Sequence, residues 1–388
     1  MSDTFVPLSR GVSSSNVTSY SSGAEHAAII CYENAVPSHI EAELEYLYHN
    51  IFSALPHFKA YGGLTTDTCT YIAREGGKAK AIFLFRRVGK AVVVLNEGMT
   101  IDDRCVSDFA HYVFSRWQQI AIIVFQAIQP RLGKLSYPMQ RYECTAQVTM
   151  SLPDNEEAYL ARLGKNMRRN IRRYLKRLRD DHPTFRFQIY GPQQVPREHL
   201  HQIFQLSRHR INSTNREFAL DDEAEKIFDL ARMAGLVGVA SINGKVCGGM
   251  IGFRAGDTYF AKVLGHDAAY KDYSLGILCC YLMIVRCMES GCREFNFMWN
   301  EYPYKSALGG KRLGLERLII YRSRKQLLRN ISFAARVRWD EWRCRLSSLM
   351  DKEDMQASLS SSEKFGLQAL LLMRKGRRWV RHVQLPDK

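Results

Sequence analysis

Between Leu236 and Lys305 the chain dictates one order of elements. Apolar runs at 236–242 and 245–254 meet at Asn243-Gly244, a residue pair that supplies the two positive φ angles of a tight hairpin. A further turn at Ala255-Gly256-Asp257 leads into 258–264, so 236–264 reads as an antiparallel meander. The third strand then passes through Tyr273-Ser274-Leu275-Gly276 into an apolar helix ending near Glu289, and a strand at 293–298 follows. A strand that hands over to a helix through small residues turns free backbone N–H groups and the positive helix end toward an anion.

The 388 residues favour two or more domains, or one large duplicated fold. The apolar share of 46% is that of a globular protein. No run reaches the roughly 18 uncharged residues that span a bilayer, and the Ser-rich N-terminus lacks the basic and apolar regions of a secretory signal. The chain is therefore expected to be cytoplasmic, with residues 1–24 as a flexible tail. Its ten cysteines are scattered; Cys279-Cys280 and Cys287…Cys292 lack the spacing of metal ligands, so the expectation is buried thiols with no metal. A formal charge of +16 calls for an acidic partner: a phosphate-rich cofactor, tRNA or an anionic membrane surface.

Residues 25–154 read as a first α/β half, with strands near 69–74, 81–87 and 91–95, a helix carrying Val106, Phe109, Val113 and Phe114, and a buried strand at 120–128. From Asn155 to Arg179, Leu160, Leu163, Met167, Ile171, Leu175 and Leu178 recur at steps of three and four, which predicts one helix with an inward apolar face. Its other face is basic: Arg162, Lys165, Arg168, Arg169, Arg172, Arg173, Lys176, Arg177 and Arg179 stand with no acid among them, and like charges at i,i+4 weaken a helix. That helix opens the second half, 155–324, which continues with a strand at 185–190, helices at 196–210 and 221–234, the meander, and a last strand at 315–321. Residues 325–388 form a basic helical tail in which Trp339 and Trp342 accompany Val337 and Leu346; such a tail docks on the protein body or lies on an anionic membrane.

Three segments resemble the acyltransferases of the FemAB, CelD and BioF2-like group. They are Lys165…Arg168…Asn170…Arg172-Arg173, Asp267-Ala268-Ala269-Tyr270…Ser274-Leu275-Gly276-Ile277-Leu278, and Phe295-Asn296-Phe297…Glu301…Tyr304-Lys305. Leu275 stands where that group often has Pro, and Asn296 where it commonly has Asp. The resemblance implies an α+β fold of two tandem GNAT-like halves with mixed, mostly antiparallel sheets. It implies transfer of an acyl group from acyl-CoA, acetyl-CoA foremost, to an amine or hydroxyl on an anionic acceptor such as a sugar or envelope-polysaccharide precursor. The acceptor is expected in a cleft between the halves.

On that reading the strand 261–264 aims backbone N–H groups at the acyl oxygen. Leu264, Tyr273, Ser274, Leu275, Gly276, Ile277 and Leu278 form the cofactor site. His266, Asp267, Glu301 and Tyr304 are the candidate catalytic residues. His266 and Asp267 would relay a proton or cap the loop, Glu301 would act as base if burial raised its pKa, and Tyr304 would protonate the departing thiolate. Lys165, Arg168, Arg172 and Lys305 are the candidate substrate ligands. His209 reads as a surface histidine. Two alternatives stand beside this reading: a FemAB-like transferase that takes aminoacyl groups from tRNA, and a non-catalytic module that binds nucleic acid or a membrane surface. Peripheral contact with an anionic membrane is compatible with each.

Overall fold

The computed structural model describes residues 17–21, 27–133, 135–213 and 218–350. In chain order the elements are β1 (Val17–Ser21), β2 (Ala27–Tyr32), α1 (Ile40–Tyr48), α2 (Leu55–Tyr61), β3 (Cys69–Glu75), β4 (Lys78–Val88), β5 (Ala91–Val94), β6 (Thr100–Asp102), α3 (Asp103–Arg116), β7 (Ile122–Arg131) and β8 (Met139–Ser151). They continue with α4 (Glu156–Arg162), α5 (Lys165–Asp181), β9 (Arg186–Tyr190), α6 (Arg197–Asn212), α7 (Ala224–Ala234), β10 (Gly235–Ile242), β11 (Lys245–Ala255) and β12 (Thr258–His266). The last are α8 (Leu275–Glu289), β13 (Glu294–Asn296), α9 (Pro303–Ala307), β14 (Lys311–Tyr321), α10 (Arg324–Arg329) and α11 (Ile331–Met350).

Two compact units divide the chain. The first comprises Pro37–Thr66 and Ala146–Leu313. Its sheet runs β9, β10, β11, β12, β13 and then residues 149–151 of β8, all neighbours antiparallel except β12 and β13, which are parallel. The predicted hairpin between β10 and β11 is present, with Asn243 at φ 50° and Gly244 at φ 76°. One face of the sheet packs against α5 and α8 through Ile171, Leu178, Leu278 and Ile284. The other packs against α6 and α7 through Ile203, Phe204, Ile227 and Phe228, with Ile51 and Ala54 ahead of α2 joining that core.

The second unit comprises Asp67–Thr145 with the described residues of Gly11–Val36 and Gly314–Lys388. Strands β1 to β5 form an antiparallel meander, and β5 then lies parallel to β7. Tyr71, Phe83 and Phe125 surround Phe109 of α3 with ring centroids 4.9–6.0 Å away. Each unit thus repeats one motif: antiparallel strands, a helix, and a strand parallel to the last of them.

Four differences from the sequence reading are physical. Residues 17–21 pair with β2 rather than belonging to a loose tail; the rest of 1–24 lies outside the described residues. The helix expected over 155–179 is two helices, because Leu163 leaves the helical region and Gly164 caps the second. Segment 37–66 folds with 146–313, not with the strands around it in sequence. The last strand, β14, pairs antiparallel with β7, Ile319 opposite Val124, and so completes the sheet of the other repeat. The tail beyond residue 350, including Leu367 to Trp379, lies outside the described residues.

Helix α6 is seated on β12 at Gly265, where an added Cβ would fall 2.1 Å from the Ile203 carbonyl oxygen and 3.1 Å from the Ser207 nitrogen. Gly265→Ala is expected to cost about 1–3 kcal/mol in denaturant unfolding through this overlap. An unchanged unfolding midpoint would show that the helix can shift without loss.

Candidate active site

The site is built where β12 parts from β13. Their parallel pairing lasts three residues, Thr258 to Phe260 against Glu294 to Asn296. Against β11, Ile251 faces Val263 while Gly252 faces Ala261, so Lys262 is an extra, bulged residue. A bulge at the point where a neighbour departs bends the strand, and the backbone edge of 261–264 is left without a strand partner on that side.

What keeps β13 away is a set of buried polar contacts. Asn296, 2% exposed, donates to Gln147 Oε1 at 2.8 Å and accepts from the Met298 amide at 2.7 Å. Lys305, 4% exposed, donates from Nζ to the Phe297 carbonyl at 2.7 Å and also to the Trp299 carbonyl. Burial lowers the Lys305 pKa from its ordinary value to about 8. The expectation that Lys305 reaches an acceptor phosphate is therefore revised: its ammonium is spent on the loop that follows β13.

At the far end of β12 the chain enters α8. The Asp267 carboxylate accepts from the Ala269 amide at 2.9 Å, the capping role rather than a relay. Ser274 lies at φ 50°, and its carbonyl accepts from Ile277 and Leu278 at 2.9 and 3.2 Å. No side chain caps α8, which leaves the amides of Leu275 and Gly276 directed beyond the helix start. Leu275, Gly276 and Leu278 are buried, Tyr273, Ser274 and Ile277 half-buried. A Cβ on Gly276 would sit 2.7 Å from His266 Cδ2, so the imidazole lies directly over the helix start. Burial, aided by the Arg210 charge, lowers the His266 pKa and favours its neutral form.

Helix α5 flanks this turn. Tyr273 donates to Asp181 at 2.8 Å, Arg177 stands 5.0 Å from the Tyr273 ring centroid, and His182 packs edge-on against Tyr270 and Tyr273. The neighbouring Arg173 and Ser274 side chains lower the pKa of Tyr174 through hydrogen bonding. Of the three candidate ligands on this helix, Lys165 and Arg172 are exposed and Arg168 is half-buried.

The remaining candidates divide. Glu301 is an exposed carboxylate held by Arg312 at 2.6 Å, so the burial that would have made it a base is missing. Tyr304 is half-buried; burial and the nearby Cys280 raise its pKa, which keeps the phenol protonated and able to donate. His209 is exposed. Sequence reasoning overlooked Arg210, whose Nη2 donates to the Leu264 carbonyl at 3.5 Å and whose charge acts on His266, Tyr304 and Cys280. It also overlooked the other face of β12, where Lys262 pairs with Glu223 at 2.9 Å, Tyr61 donates to the same carboxylate at 3.2 Å, and His57 stacks on Tyr61 at 4.6 Å. Burial and the Lys262 charge lower the His57 pKa to about 4. The run Ser207-Arg208-His209-Arg210 near the end of α6 was the only local signal for Arg210. His57 and Tyr61 offered none, since their segment joins this unit only through the tertiary fold.

Residues 165–306 match the acetyltransferase (GNAT) domain, a span that lies wholly within the first unit. Over 72% of this chain and 94% of its own length, the crystal structure of FemX superposes with a TM-score of 0.52 at 10% identity. The chain has a FemAB-like GNAT fold. A conserved protein of unknown function from Bacteroides thetaiotaomicron VPI-5482 (TM-score 0.48, 12% identity, 74% of this chain and 98% of that one) also resembles it. So does L-PGS from Bacillus licheniformis (0.46, 15%, 78% and 97%). No curated protein matches by sequence. In the GNAT unit, the bulged β12, the short parallel β13 and the uncapped α8 are the parts described above. Among the described residues no group of three His, Cys, Asp or Glu side chains is placed to hold a metal ion.

Lys305 gives the unit a pH signature. Its folded pKa lies below the unfolded value, so between about pH 8 and 10.5 the unfolded chain binds more protons and stability rises with pH. The unfolding free energy of the native protein minus that of Lys305→Met is expected to be flat below pH 7 and to climb by on the order of 2–3 kcal/mol across that window. A flat difference up to pH 10.5 would show that Lys305 stays charged.

Proposed function

We propose that the protein is an acyltransferase that moves an acyl group from acyl-CoA, acetyl-CoA first, to an amine or hydroxyl acceptor. The observation that carries this reading is the parting of β12 and β13 beside an uncapped helix start. The bared edge at 261–264 offers amides to a thioester carbonyl as it gains negative charge, and the amides of Leu275 and Gly276 suit a pyrophosphate. The acceptor's lone pair attacks the carbonyl carbon, the C–S bond breaks, and the departing thiolate takes the Tyr304 proton while the acceptor's proton passes to solvent or a neighbouring base. Lys165, Arg168 and Arg172 on α5 are the proposed contacts for phosphate groups of donor or acceptor.

Calorimetric titration with acetyl-CoA and longer acyl-CoAs tests the donor. Saturable binding is expected, weakened at least tenfold in Gly276→Trp when circular dichroism shows the variant folded; no heat with any acyl-CoA would remove this reading. Given an acceptor, Tyr304→Phe should lower kcat by about 10²-fold or more with KM for acyl-CoA unchanged. An unaltered kcat would take Tyr304 out of the chemistry.

A second reading is favoured by α5, whose cations have Arg177–Asp181 as their one ion pair among the described residues. In that reading an aminoacyl-tRNA is the donor, as the FemAB resemblance implies. Binding of charged tRNA with a steep salt slope, unaffected by acetyl-CoA, would support it over acyl-CoA.

A further inference from the structure

Helices α10 and α11 form a second basic element, in the other unit. Phe333, Ala334 and Val337 turn one face of α11 into the core formed with Ile122, Ile319 and Tyr321. That face already satisfies the helix. Yet Leu328 is 65% exposed, Ile331 58%, Trp339 51% and Trp342 38%. At 100° per residue, Ile331, Trp339 and Trp342 share one outward stripe of α11, which ends at the buried Leu346. Arg338 and Arg345 border it on one side, Arg336 and Arg343 on the other. The two indoles lie 4.9 Å apart, centroid to centroid, as a single aromatic plate. From Arg324 to Leu346 there are seven Arg or Lys against two acids. Both acids, Asp340 and Glu341, lie toward the buried side and meet Arg343 and Arg338 at 3.6 and 3.5 Å.

An apolar stripe with tryptophan and flanking cations matches the interface between lipid tails and anionic head groups: indoles settle at the head-group level while arginines reach phosphates. A protein partner's groove would take the apolar stripe but has no general need for cations on both borders. We propose that the outward face of α10 and α11 docks the protein on an anionic phospholipid surface, Trp339 and Trp342 entering the head-group layer. No helix among the described residues is long and apolar enough to cross a membrane, so this contact is peripheral. A single basic helix with a short apolar stripe binds weakly, and the contact is therefore reversible and salt-sensitive.

The test is co-sedimentation of the full-length protein with phosphatidylcholine vesicles and with vesicles containing phosphatidylglycerol, at low and high salt. The expected result is binding to the phosphatidylglycerol vesicles that falls with salt and is at least tenfold weaker for Trp339→Ser/Trp342→Ser. Because both side chains are exposed, the double variant should keep the native melting curve. A second readout, tryptophan emission, should shift to the blue on adding anionic vesicles and lose that shift in the double variant. Absence of binding would overturn the proposal. So would binding undiminished in the double variant, which would move the contact to α5 or to residues 351–388, and so would capture of RNA without capture of vesicles.

Discussion

The parting of two parallel strands is the constraint on which the GNAT unit depends. β12 and β13 begin paired, and a sheet left to itself would continue the ladder, because each unpaired backbone group forgoes a hydrogen bond. Here the ladder stops after Phe260 and Asn296, and the lost bonds are replaced from elsewhere. Asn296 takes the Met298 amide, and Lys305 takes two carbonyls of the departing chain. A neutral or charged amine can both donate to those carbonyls, so the loop is held across a wide pH range even with a depressed pKa. An aspartate at 296 would accept the Met298 amide as Asn296 does and could take a bond from Gln147 Nε2 if that amide turned, so Asn296 makes the same backbone contact without a buried charge.

The same motif built twice explains both what the chain reveals and what it conceals. The meander, its Asn243-Gly244 turn and the α8 crossover are local events, fixed by turn chemistry and by periodicities of two and 3.6, and each was legible. Partner choice is not local. β8 follows β7 in sequence yet gives residues 149–151 to β13, and β14 follows β13 yet pairs with β7. A run such as Leu318-Ile319-Ile320 declares that a strand is buried on both faces; it does not declare which of two similar repeats buries it. Segment 37–66 was illegible for the same reason, and with it His57 and Tyr61.

At the site, legibility followed chemistry that needs a special backbone. The strand-helix turn from Tyr273 to Leu278 was readable because a strand period ends and a helical one begins across its small residues. Even there the structure assigns Gly276 a use the sequence did not suggest, since its missing Cβ makes room for the His266 ring. Glu301 was misread because identity alone cannot tell a buried carboxylate from one paired at the surface with Arg312. Arg210 was passed over because the basic run around it marks only a charged helix end; its meaning comes from the Leu264 carbonyl, fifty-four residues further along the chain.

Helix α5 shows how tertiary packing overrules local electrostatics. Each like-charge pair at i,i+4 costs about 0.2–0.5 kcal/mol, so the basic face alone would leave a 17-residue helix marginal. Burial of Ile171 and Leu178, at about 1.5–3 kcal/mol each, exceeds several such pairs together. At its last turn Asp181 engages both Arg177 and Tyr273, which removes part of the repulsion where the helix meets the α8 turn. Toward its start no carboxylate of the described residues forms an ion pair with Lys165, Arg168, Arg169 or Arg172. Mixed signs there would stabilise the helix at no cost to its packing. A stretch that keeps one sign against that gradient is the feature on which the proposed phosphate contacts of α5 rest.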